Sequence, residues 1–131
     1  MHNHAERFSV ALTHSRTLRA AQTREVARRW EALLLLLTSS EGLWEAHGGH
    51  LDYTSGTAEL PELPYLNTRD RLLLGVGRNL FAGSDPVALT DCCMILDDRG
   101  FALVMAAIRL VRGEKDATLD LWNPFHPRHG L

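Results

Sequence analysis

The sequence predicts a mainly α-helical single domain spanning residues 1–131. Leucine dominates the apolar residues with 23 copies, and leucine favours helices over strands. Apolar residues recur at steps of three to four along much of the chain, which is the period of a helix. The length of 131 residues suits one domain, and 45% hydrophobic with 23% charged residues excludes a disordered chain.

The first predicted element is a long helix within residues 1–40. Thr13 or Ser15 is a candidate start, and Asn3 with Glu6 resembles a capping box that places the start earlier. The hydroxyl residues at 38–40 end it. Its apolar positions have helical spacing. They are Leu18, Val26, Trp30, Leu33 and Leu37.

The end of this helix, from Leu33 to Leu37, is apolar on every side. Such a stretch must be covered, either by the core of one chain or by a second copy. Because tryptophan often anchors protein interfaces, we predict a self-association interface here. Its predicted residues are Trp30, Leu33, Leu34, Leu37 and Trp44. The alternative is that Leu33 to Leu37 form the centre of a monomer.

Residues 41–66 form a long connection, interrupted by glycine and proline, with five acidic and no basic residues. Residues 1–40, in contrast, hold six arginines and three glutamates. Such asymmetry predicts contacts between the two segments, within one chain or across a dimer.

A three-helix unit is predicted over residues 67–113, because helix start and stop signals recur there. Its helices run from Thr68 to Ala82, from the Ser84-Asp85-Pro86 start to Leu96, and from Asp97 or Asp98 to Arg112. The uninterrupted apolar run at 101–108 predicts that the third is the most buried. The alternative is a β-hairpin within 93–106. The tail, 114–131, is predicted to be extended, and a short strand at 117–122 is an alternative for part of it.

Metal ligation is the chemistry suggested by the stretch 45–52, where histidines and carboxylates alternate with glycines. His47, His50 and Asp52 are candidate ligands of a divalent metal such as zinc, and a metal-dependent enzyme is the third function considered. His126 and His129 form a second histidine pair. No other cofactor is expected. Cys92 and Cys93 lie in an apolar stretch and are predicted to be buried structural residues.

Nucleic-acid binding is the second function considered, because 13 of the 14 basic residues are arginines and arginine binds phosphate well. The third predicted helix has no polar residues between 101 and 108 to read base edges. Binding would therefore use phosphate contacts. The candidate residues are Arg16, Arg24, Arg28, Arg71 and Arg78.

The sequence favours a non-enzymatic protein that self-associates or binds another protein, as an interaction or regulatory module. The adjacent cysteines and the lack of an apolar signal segment in the first 30 residues predict a reduced, cytoplasmic protein. No membrane partner is expected, because the apolar run at 33–37 is far shorter than the roughly 20 residues of a membrane span.

Overall fold

The computed structural model of the protein describes residues 3–18, 23–84 and 86–122. These residues form a mainly α-helical domain, as predicted. The helices are α1 (His4–Leu18), α2 (Arg24–Leu37), α3 (Glu41–His47), α4 (Thr68–Ala82), α5 (Leu89–Ile95), α6 (Asp98–Arg112) and α7 (Leu119–Trp122). A 3-10 turn at Gly48–His50 and two antiparallel strands, β1 (Leu51–Asp52) and β2 (Thr57–Ala58), lie between α3 and α4.

The single long N-terminal helix is corrected to two helices, α1 and α2. They run antiparallel, since His4 Nε2 lies 2.9 Å from the Leu35 carbonyl oxygen and Arg16 pairs with Glu31 at 3.3 Å. The physical reason is a second start signal: the hydroxyl of Thr23 accepts a hydrogen bond from the Val26 amide and caps α2. Asn3 caps the first helix by accepting from the Glu6 amide at 2.9 Å, so the earlier of the two starts is confirmed.

The centre of the fold is the C-terminal half of α2, which packs against α6 and α4 and is flanked by α1. Residues 32–37 are completely buried there. Gly77 of α4 permits close approach of the helices, because a Cβ at this position would lie 3.1 Å from Leu33 Cδ1. The all-round apolar run therefore forms the core of a single chain.

The predicted three-helix unit is confirmed as α4, α5 and α6. The Asn67 side chain caps α4 and that of Asp97 caps α6, each accepting from a backbone amide at 2.7 Å. The second helix begins at Leu89, later than its predicted start, and its N-cap residue Ala88 provides no side-chain hydrogen bond. Pro86 therefore precedes the helix instead of opening it.

The two β alternatives considered from the sequence, at 93–106 and 117–122, are both helical in the structure. Residues 93–106 belong to α5, α6 and the turn between them, because the carboxylate of Asp97 starts a new helix where a hairpin would need a loop. Within 117–122 the chain ends in the short helix α7. The strand pair lies instead at 51–58, where Asp52 accepts hydrogen bonds from the amides of Thr54 and Ser55 and closes a turn. The tail beyond 122 lies outside the described residues.

The acidic connection is largely fixed to the helices by its backbone. Arg78 donates to the Leu60 carbonyl and Arg71 to the Pro64 carbonyl, each at 2.8 Å. Arg7 and Glu41 form an ion pair between the basic and acidic segments, at 3.9 Å. The predicted contact between the two segments is thus present in one chain. Across the described helices, none combines the length and apolarity needed to cross a bilayer.

Two glycines that end helices give a first prediction. Gly83 and Gly113 have φ angles of +70° and +80° at the ends of α4 and α6. We expect Gly83→Ala to lower the free energy of unfolding by about 1 kcal/mol, because a Cβ strains this backbone conformation. The cost of Gly113→Ala should be somewhat larger, since its Cβ would also displace the Arg28 guanidinium. Urea denaturation measures both, and unchanged midpoints would contradict the prediction.

Candidate functional site

Several large apolar side chains face solvent on α5 and at the start of α6. Met94 is 79% exposed, Leu89 76% and Phe101 41%. Cys93 lies one turn after Leu89 and is also exposed. We call these four residues together with Met105 the α5–α6 face. Clustered exposed apolar side chains typically mark a binding surface, whereas single ones do not.

A groove of about 520 Å³ continues this surface between α5, α6 and the segment that leads into α7. Its apolar walls include Cys93, Phe101, Met105 and Leu121. The same groove is bordered by charged residues. These are Asp97, Asp98, Asp120 and Arg109. An apolar floor with a charged rim is the usual composition of a protein-binding surface.

The charges on α6 are arranged by sign along the helix. Asp98 stands at its N-terminal end and Arg109 in its last turn, with apolar side chains between them on the same side. Each charge has the sign that the helix dipole favours at its end. The exposed side of α6 is therefore acidic at one end, apolar in the middle and basic at the other.

Four of the five predicted interface residues are corrected by the structure. Trp30, Leu33, Leu34 and Leu37 have 0% exposure in the single chain, so their side chains offer no surface to a partner. They are covered by α1, α4 and α6. One long N-terminal helix would not have supplied the part of this cover that α1 provides. Trp44 is partly buried against the same core.

The five candidate phosphate-binding arginines do not form one patch. Arg24 and Arg28 border a hollow between α2 and the end of α6, together with the carboxylates of Glu31 and Glu114. Arg71 and Arg78 border a different hollow beside α4, and each donates to a backbone carbonyl of the connection. Arg16 pairs with Glu31. The guanidinium groups of Arg16, Arg71 and Arg78 therefore contact other parts of the same chain.

The three candidate metal ligands have separate environments. His47 is completely buried and neither ring nitrogen has a hydrogen-bond partner among the described residues, while His50 is exposed. The Asp52 carboxylate closes the turn that follows β1. Within the described ranges, no three histidine, cysteine or acidic side chains are grouped to hold a metal ion, so the structure does not bring these candidate ligands together. His126 and His129 lie outside those ranges.

Burial lowers the pKa of His47, and the nearby charges of His50 and Arg78 act in the same direction. The ring is therefore held neutral inside the fold, which explains how it can be buried without a carboxylate partner. Burial also raises the pKa of the Cys92 thiol, as do Cys93 and Asp91 beside it. Cys92 is a buried structural residue, as predicted, but Cys93 is exposed and its predicted burial is wrong.

The exposed residues of the α5–α6 face were not identified from the sequence. The apolar run at 101–108 predicted the most buried helix, yet Phe101 is exposed and residues 32–37 of α2 take the central position. A signal was present in the spacing along α6. Phe101 and Met105 lie three to four residues from Asp98 and Arg109, so all four share one side of the helix. Their position between charged residues on one side of α6 indicates the solvent side.

No family model, curated protein or solved structure matches this chain.

Proposed function

We propose that this protein is a non-enzymatic interaction module that self-associates through the α5–α6 face. The observation that carries this proposal is the exposure of Leu89 and Met94 on α5 and of Phe101 on α6, where Phe101 also lines an apolar groove. Covering a large apolar side chain contributes about 1.5–3 kcal/mol relative to leaving it in water. Three such side chains on adjacent helices therefore provide a substantial driving force for association.

The charge of this surface favours a protein partner over a nucleic acid. Asp97, Asp98 and Asp120 border the groove that Phe101 and Met105 line, and carboxylates repel phosphate. Three of the five candidate arginines have intrachain contacts: Arg71 and Arg78 donate to the connection, and Arg16 pairs with Glu31. A nucleic acid that used these three guanidinium groups would have to compete with those contacts.

A Met94→Glu variant tests the proposed surface. We expect light scattering with gel filtration to give about twice the chain mass of 14.7 kDa for the unchanged protein. The variant should dissociate at least about tenfold more readily, because a carboxylate replaces an apolar contact at a side chain that is 79% exposed in the single chain.

The matched control is Tyr65→Glu, since Tyr65 is 72% exposed and lies in the connection, outside this surface. Its mass should equal that of the unchanged protein. A mass of 14.7 kDa for the unchanged protein at high micromolar concentration would refute self-association. Equal dissociation of both variants would refute the assignment to α5 and α6.

A further inference from the structure

We propose that two copies associate about a two-fold axis with their α6 helices antiparallel, so that Asp98 of each chain contacts Arg109 of the partner subunit. This inference rests on the proposed self-association and specifies its geometry. The partner is a second copy of this chain, and the recognition combines apolar contact in the middle of α6 with opposite charges at its ends.

The contact surface is a stripe along α6, formed by Asp98, Phe101, Ala102, Met105 and Arg109. The spacing from Asp98 is three, four, seven and eleven residues, which places all five on one side of a helix. The opposite side of α6 packs against α2, with Leu103, Val104 and Ala107 buried. The stripe is thus the side that α2 leaves uncovered, with Asp98 and Phe101 exposed and the other three residues partly exposed.

Charge determines the direction in which two such stripes pair. A parallel arrangement would place Asp98 against Asp98 and Arg109 against Arg109, and like charges in contact repel. An antiparallel arrangement places each carboxylate against a guanidinium, and it also aligns the two helix dipoles favourably. A two-fold axis perpendicular to α6 relates the two chains. Each contact in such a dimer occurs twice, so the axis generates both Asp98–Arg109 ion pairs.

Side-chain size fits the same arrangement. An axis midway between Asp98 and Arg109 places Ala102 opposite Met105 of the partner subunit, so that a small side chain faces a long one. The two charged residues are separated by about 16 Å along the helix, at 1.5 Å per residue, which leaves room for this apolar contact between them. Met105 is a suitable residue for it because its unbranched side chain adapts to irregular surfaces.

The two end charges are available for such pairing. Within the described residues, neither Asp98 nor Arg109 forms an ion pair, whereas their charged neighbours do. Asp97 lies 3.9 Å from Arg69 and accepts from the Gly100 amide, and Arg112 pairs with Glu114 at 2.8 Å. Reversing charges at Asp98 and Arg109 therefore leaves the other ion pairs intact.

The test uses the two charge reversals Asp98→Arg and Arg109→Asp, separately and mixed. Each variant alone should have an association constant at least about tenfold lower, because each pairs like charges twice in the antiparallel dimer. An equimolar mixture should regain association as a mixed dimer. In it, one chain carries arginine at both positions and the other aspartate at both, so that opposite charges meet at each end.

Circular dichroism and urea denaturation of each variant control for folding, since both changes oppose the helix dipole. Recovery in the mixture cannot come from monomer stability, because each chain there carries the same change as it does alone. If the unchanged protein is monomeric, the proposed function itself fails. If it dimerises but the single reversals have no effect, or the mixture stays dissociated, the antiparallel geometry is overturned and self-association stands.

Discussion

Replacing Trp30 by alanine is expected to reduce the free energy of unfolding by about 3–5 kcal/mol. Trp30 is completely buried, and its ring contacts those of Tyr53 and Phe81 at centroid distances of 4.9 and 4.6 Å. It therefore joins α2 to the loop between β1 and β2 and to the end of α4. Removing it leaves a cavity where three parts of the chain meet. Urea denaturation followed by circular dichroism measures the loss.

Two control variants separate the cavity from other effects. Trp30→Phe should cost much less than the alanine change, because the indole N–H has no hydrogen-bond partner among the described residues and a ring still fills most of the space. Trp44→Ala should also cost less, since Trp44 is only partly buried. Equal losses for Trp30→Ala and Trp44→Ala would contradict the central position of Trp30. If Trp30→Ala does not fold, Trp30→Phe still gives a measurable loss in the free energy of unfolding at this position.

Acid should destabilise the protein through His4, a histidine held neutral between two helices. Its Nε2 donates to the Leu35 carbonyl at 2.9 Å, and its Nδ1 accepts from Arg99 Nη2 at 3.3 Å. These two partners fix the neutral ring, since a carbonyl only accepts and a guanidinium only donates. Burial lowers the pKa of His4 to about 4, opposed by the Leu35 hydrogen bond and reinforced by the charges of Arg99, Arg7 and Arg69.

The direction in which stability changes with pH follows from the number of protons that the folded and unfolded chains bind. The unfolded chain takes up a proton at His4 near the ordinary histidine pKa of 6.5 and the folded chain only near 4, so the unfolded state binds more protons between these values. Stability is therefore full above pH 6.5 and falls as the pH is lowered toward 4. The shift corresponds to about 3 kcal/mol, which solvent screening of this partly buried ring reduces to about 1–2 kcal/mol. His47 acts in the same direction.

Urea midpoints between pH 7.5 and pH 4 measure this loss, and His4→Gln is the matched control. Glutamine can donate to the Leu35 carbonyl and accept from Arg99 but does not titrate in this range. The variant should therefore have a flatter dependence of stability on pH than the unchanged protein. Parallel curves for the two proteins would show that His4 is not the group that titrates.

The boundaries of α4 and α6 could be predicted because their signals are local. Asn67 and Asp97 each cap a helix by binding an amide three residues ahead, and Gly83 and Gly113 end these helices in a conformation that glycine favours. The break between α1 and α2 has a signal of the same kind at Thr23. The sequence analysis missed this break because the apolar residues keep helical spacing across it. Two antiparallel helices and one long helix both bury residues at the period of a helix, so the spacing does not distinguish them.

Sequence alone determined the helical class, the caps and the need to cover Leu33 to Leu37, since these depend on hydrogen bonds and periodicity within a few residues. Only the tertiary structure decided which apolar residues stay exposed. Leu33 and Phe101 both stand in apolar runs, yet α4 and α6 cover the first while the second faces solvent. The contact of His4 with Leu35 and Arg99 likewise joins residues far apart in the chain, and no local pattern encodes which surfaces meet when helices pack.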